Sequence, residues 1–192
     1  MNPAITLPEA STRRRRGRLQ LILLLAVVIG PMILASAMYQ WRFWVPESRS
    51  YHGELIGNGQ TRADLGVAAE ESRWQLLVTT PDACAADCQQ LVFLARQIHI
   101  GLNREATRAA HALASALPLE ADYAATLRRE YPQLTRYPLQ PAAHARTAGE
   151  GAGAQLWIVD PHGNLVLRYD SRSKGKGILD DLRYLLKISQ IG

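Results

Sequence analysis

The chain has two cysteines, Cys84 and Cys88, four positions apart in the stretch "TTPDACAADCQQL" (residues 79–91). Sulfurs at i and i+4 on the first turn of a helix face one side, with Cα atoms about 6 Å apart and within reach of a disulfide. The unpaired N–H groups and partial positive charge of a helix N-terminus favour a thiolate there. This chemistry makes Cys84 the nucleophile and Cys88 its resolving partner, or makes both of them ligands to a soft ion such as Cu(I). The plain alternative is a structural disulfide, but so short a loop constrains the unfolded chain little.

The compartment decides which chemistry is open to them. Residues 19–38, "LQLILLLAVVIGPMILASAM", carry no charge. Twenty residues in a helix span about 30 Å, the thickness of a bilayer core. Pro31 is tolerated in such a helix, and Tyr39, Trp41, Phe43 and Trp44 follow where an interfacial aromatic belt belongs. Arg13–Arg16 and Arg18 precede the span, which places the N-terminus in the cytoplasm and exports the rest. A cleaved signal peptide with its processing site near Ala35–Ala37 is the rival reading, but the apolar run is longer than a signal core. Under both readings the cysteines meet an oxidising compartment.

The net charge of +5 invites a nucleic-acid reading, but residues 39–192 are close to neutral, with 17 Lys or Arg against 16 Asp or Glu. The basic character is one cluster beside the span, and no nucleic-acid partner is expected. Beyond the span, "RWQLLVTT" (73–80) reads as a buried strand. "CAADCQQLVFLARQIHIGL" reads as a helix with Leu91, Leu94, Ala95, Ile98 and Leu102 on one face. "RAAHALASALP" (108–118) fits helix or strand, and "EADYAATLRREYPQL" fits a short helix ending near Pro132. "TAGEGAGA" reads as a turn, "QLWIVD" and "LVLRYD" as a hairpin joined through "PHGN". "GILDDLRYLLKI" closes the chain as a helix with Ile178, Leu182, Leu185 and Leu186 inward. "YHGELIG" (51–57) is either a short strand or a docking segment.

This order predicts an α/β, thioredoxin-like domain, a central mixed sheet flanked by helices, with one N-terminal transmembrane helix. The expected divisions are a cytoplasmic basic N-terminus (1–18), a transmembrane helix (19–38), a juxtamembrane and linker segment (39–72) and a periplasmic thioredoxin-like domain (73–192). "GEGAGA" precedes a strand instead of following one, so it is not a dinucleotide loop. "SRSKGKG" (171–177) reads as a solvated loop, with docking to an acidic partner as the sharper alternative. His99 and His111 fall inside elements. His52, His144 and His162 fall in loops, where each is a candidate third ligand beside the sulfurs. No HExxH and no Ser-His-Asp spacing points to a hydrolase.

The anchor, the strand "WQLLVTT", the CxxxC of "CAADC", the helix "LVFLARQIHIGL" and the end "LWIVDPHGNLVLRY" together resemble the Sco/SenC group of membrane-anchored thioredoxin-like proteins. The "GELIG" segment and the "LLKISQIG" end are similar to a small Sco-like group linked with cytochrome oxidase assembly in proteobacteria. That resemblance implies the bacterial inner membrane, a periplasmic domain, and cytochrome c oxidase subunit II or other assembly factors as partners. It implies that Cys84 and Cys88 match the family thiols, which with a histidine bind copper. At the histidine position this chain has "GAGA" near Ala152, and His144 is the nearest upstream histidine. Gln89 replaces the proline usual after the second cysteine. Three roles follow as expectations: thiol–disulfide exchange that prepares the copper-receiving subunit, Cu(I) carriage with His144 as third ligand, or a non-catalytic scaffold for the oxidase.

Overall fold

A computed structural model describes residues 10–41 and 51–189, with side chains described for 18–37 and 51–189. The chain divides into two compact units, Met1–Ser50 and Tyr51–Gly192. In the first, helix α1 (Ala10–Trp41) contains Pro31. Its stretch Arg18–Ala37 is long and apolar enough to cross a membrane, and none of it is buried within the structure. The side chains of Arg13–Arg16 and of the aromatic group Tyr39, Trp41, Phe43 and Trp44 lie outside the described residues.

The second unit is built on a six-stranded sheet. Its strands are β1 (Glu54–Leu55), β2 (Trp74–Thr80), β3 (Ala109–Ser115), β4 (Thr135–Pro138), β5 (Gln155–Val159) and β6 (Leu165–Tyr169). The spatial order is β1-β6-β5-β2-β3-β4. Strands β2, β3 and β4 run parallel, while β5 and β6 return antiparallel. The mixed thioredoxin-like sheet expected from the element order is thus observed.

All seven residues of β2 are buried, because both faces of the sheet are covered. Alternation sends Trp74, Leu76 and Val78 to one face and Leu77 to the other. The first face packs against α2 (Ala86–Gly101) through Leu91, Val92, Ala95 and Ile98, and against α5 (Gly175–Ile188) through Ile178, Leu182, Leu185 and Leu186. Leu127 of α3 (Ala121–Glu130) joins the same cluster. The opposite face carries Ala112, Ala114, Trp157 and Val159. Leu65 and Val67 cover it from the chain ahead of β2, and Ala148 covers it from α4 (Pro141–Ala148).

The ambiguous segment 108–118 is resolved as strand β3, whose alanines are buried between the covering layers. Residues 51–69, ahead of β2, contribute strand β1, paired with β6, and the buried Leu65 and Val67. His52 fastens this stretch: its backbone N–H and its Nδ1 reach the buried Asp181 carboxylate at 2.7 and 3.0 Å, and Tyr169 donates its hydroxyl to the same group at 2.9 Å. Gly177 makes room for it, since a Cβ there would lie 2.8 Å from the His52 ring. Two readings need correction. His144 is not in a loop but in α4, which starts with Pro141 at its first turn, a position proline favours. "SRSKGKG" is only partly loop, because Gly175–Gly177 form the first turn of α5.

Gly66 has φ +79°, and a Cβ there would meet Gln140 Cβ at 2.7 Å and Ala143 Cβ at 2.9 Å. Gly66→Ala is therefore expected to destabilise the domain by about 1–3 kcal/mol through backbone strain and collision with α4, read as a lowered urea midpoint with unchanged slope.

His111 of β3 is buried on the α2 face, with its ring 4.8 Å from that of His99 and no hydrogen-bond partner on either nitrogen among the described residues. Burial first, then His99, Arg96 and Arg73, push its pKa from 6.5 down to about 4. Between these values the unfolded chain binds a proton that the folded chain refuses, so stability falls as pH drops from 6.5 toward about 4. Denaturant titrations stepped through that window should show a shallower fall for His111→Leu than for the parent.

Candidate functional site

Strand β2 ends at Thr80, and the chain turns at Pro81 into the cysteine loop. Thr80 Oγ1 donates to the Asp82 carbonyl at 3.1 Å, and Ala85 N–H donates to the Ala83 carbonyl at 2.8 Å, which tightens the bend. Cys84 lies in this loop and not on the first helical turn as its spacing suggests, because α2 starts at Ala86 with Ala85 as an extended N-cap residue. Cys88 is inside the helix. The two sulfurs form a disulfide with Cα atoms 5.1 Å apart.

The pair is asymmetric. Cys88 is 2% exposed and belongs to the α2 stripe that packs on the sheet, whereas Cys84 is half-buried at the edge of that cluster. The helix N-terminus has no side-chain cap, so its first N–H groups and the positive end of its dipole are left facing the cysteine loop. Gln89 stands where a proline was expected. Its side-chain amide donates to the Cys84 carbonyl at 3.1 Å and pins the loop to the helix. Sequence spacing gives no sign of that bond. The pair therefore sets a half-buried sulfur-bearing residue ahead of a buried one at the N-terminal end of the helix.

His144 is placed elsewhere. Thr79 alternates with Val78, which shares the cysteine-side cluster, so its side chain projects from the opposite face of β2. Thr79 Oγ1 accepts the Trp157 Nε1–H at 3.0 Å and meets His144 Nε2 at 3.0 Å. Trp157 can only donate, so the arrangement satisfying every group has the threonine hydroxyl donating to His144 Nε2. Burial holds the His144 pKa below its ordinary value. Its Nε2 lone pair is thus engaged, on the face away from the sulfurs. Among the described residues no group of three or more His, Cys, Asp or Glu side chains is arranged to hold a metal ion. The cysteine face offers Cu(I) two soft sulfurs without a histidine nitrogen beside them.

Comparison with known proteins places these features in a family. Residues 74–189 match the model of a transmembrane-like, thioredoxin-like C-terminal domain, and residues 11–42 match the model of its transmembrane-like N-terminal domain. No curated protein matches the sequence. Similar solved structures include copper-bound ScoI of Bradyrhizobium japonicum, with 15% identity, TM-score 0.43, and coverage of 60% of this chain and 86% of that one. Copper-bound ScoI of Arabidopsis thaliana gives 14%, 0.43, 60% and 87% for the same quantities. A thiol:disulfide interchange protein of a Bacteroides species gives 11%, 0.46, 72% and 91%.

After reduction, Cys84 should react with iodoacetamide on the order of tenfold faster than Cys88, because only one sulfur combines solvent access with the uncapped helix end. Peptide mass spectrometry across a time course reads the order directly. Equal rates would show that burial of Cys88 does not survive reduction.

Proposed function

The chain belongs to the transmembrane-like, thioredoxin-like family, and from that premise we propose that it is a membrane-anchored thiol–disulfide exchange protein. The observation that carries the proposal is the asymmetric pair: a half-buried Cys84 in front of a buried Cys88 at an uncapped helix N-terminus. The arginines ahead of the α1 apolar stretch support a cytoplasmic N-terminus and an exported domain, and the resemblance to the Sco-like group supports the bacterial inner membrane and periplasm as its setting. The residues shared with the Sco-like group support cytochrome c oxidase subunit II, during assembly of its copper centre, as the partner.

In the reduced chain, the Cys84 thiolate attacks one sulfur of a partner disulfide and displaces the other as a thiolate, forming a mixed disulfide. Cys88, deprotonated, then attacks Cys84 Sγ and expels the second partner sulfur. The partner gains two thiols and this chain ends as the Cys84–Cys88 disulfide, the state seen in the structure. An exported dithiol reductant restores the starting state. The exchange needs only the two sulfurs, and it leaves the receiving cysteines ready for metal.

The test uses the full chain in detergent and in cells. Cys88→Ser should accumulate a mixed disulfide with the oxidase subunit, Cys84→Ser should form none, and the double variant should lose most oxidase activity. Normal oxidase assembly in the double variant would replace the proposal with a scaffold role. Anaerobic titration of the reduced chain against a competing Cu(I) chelator addresses the remaining role. Tight uptake of one copper per chain, lost in Cys84→Ser, would make copper the cargo and the chain its carrier.

A further inference from the structure

Arg62 lies ahead of β2, at the end of the sheet opposite the cysteine loop. Its backbone pairs with Gly163 in the β5–β6 turn, and its side chain reaches Gln75 near the start of β2, whereas the disulfide follows the end of that strand. The residue is only 7% exposed. A guanidinium is a permanent cation, and its burial is costly without a counter-charge. Arg62 has none. Nη1 donates to Gln75 Oε1 at 3.1 Å and Nη2 donates to the Ala69 carbonyl, both neutral acceptors.

The neighbouring carboxylates are committed to other groups. Asp64 accepts the N–H and hydroxyl of Thr61, Glu71 is paired with Arg73, and Asp160 accepts from His162 and Asn164. Glu70 is exposed and forms no ion pair among the described residues. A second shortage lies beside the first. Gln75 is fully buried, its Oε1 is used by Arg62, and its Nε2 has no acceptor. A buried cation with only neutral acceptors thus stands against a buried amide whose nitrogen is unpartnered among the described residues. Arg62 lines a cavity of about 570 Å³ together with Thr61, Ala69, Glu70, His162 and Gly163.

We propose that this cavity binds a small monocarboxylate, held by the Arg62 guanidinium with Gln75 supporting it from behind. A carboxylate supplies a charged acceptor in the planar geometry that suits a guanidinium. One buried cation balances one negative charge, and Glu70 on the wall disfavours a dianion. The site is independent of the thiol chemistry at the other end of the sheet.

The probe is sodium acetate, added to the full chain in detergent micelles at ionic strength held constant with sodium chloride. A ligand that binds only the folded state raises the melting temperature with concentration. The expected result is a saturable rise in acetate, absent in chloride and lost in Arg62→Lys, whose ammonium lacks the planar fork. Gln75→Leu should reduce the rise and keep part of it. If Arg62→Lys does not fold, the Arg Nε–Hε resonances of the parent decide: one of them should shift saturably with acetate. No shift, or a melting curve that responds to acetate and chloride alike, overturns the proposal. An equal rise with phosphate would overturn the charge argument behind it.

Discussion

The burial of β2 on both faces is the constraint on which the rest of this domain depends. A strand with no solvated side needs two covers, and the chain supplies them from different places. Helices α2 and α5 cover one face, while α4 and the stretch holding Leu65 and Val67 cover the other. The same strand delivers the chain to Pro81 and into the cysteine loop. The chemistry of the pair then follows from helix periodicity. Cys88, Leu91, Val92, Ala95 and Ile98 share the buried side of α2, so the packing that holds the helix on the sheet also hides one sulfur. Cys84, one residue ahead of the N-cap, lies outside that stripe and stays accessible. The difference between the sulfurs is a by-product of core packing and needs no dedicated catalytic residue.

What could be read in advance was whatever carries a strong period. The apolar run of β2, the α2 stripe, the β5–β6 hairpin and the amphipathic α5 announce themselves because burial selects their residues one by one. Segment 108–118 did not, since alanine suits a helix and also a strand packed closely between layers, and only pairing with β2 decides it. The short β4 and α4 carry no long apolar period that would announce them, although Pro141 stands in the first turn of α4, a position proline favours. The spacing puts Cys84 on the first helical turn, whereas it precedes the N-cap, for a related reason. Ala85 carries no capping side chain, so nothing in the sequence marks where the helix begins.

The third-ligand question shows how a motif can be intact while its context is not. The CxxxC spacing survives here, but the position expected to hold histidine reads "GAGA", and the nearest upstream histidine lies on the opposite side of β2. Reassigning His144 to the sulfurs would require it to leave Thr79, and Thr79 would then hold only Trp157 in a buried site. The loss of a buried hydrogen-bond partner costs about 1–3 kcal/mol. On the sulfurs' own face, His111 is buried deep in β3 beside His99. Two-sulfur chemistry is therefore the economical use of this site, since exchange requires no nitrogen donor.

The two polar residues that β2 sends to its second face, Gln75 and Thr79, make an instructive contrast. At Thr79 the polar groups meet one another: the indole N–H and the imidazole Nε2 both reach its hydroxyl at 3.0 Å. At Gln75 they do so only in part, although the residue is as deeply buried and the same strand and sheet support it. There a cation that lines a cavity meets an amide oxygen and a peptide carbonyl, and among the described residues the buried amide nitrogen finds no acceptor. Buried polar networks are either completed or costly. The same face thus carries two polar residues of equal burial, one meeting an indole and an imidazole and the other meeting a cation. The sulfur pair and this donor pair occupy opposite ends of one strand, so each can be altered without dismantling the other.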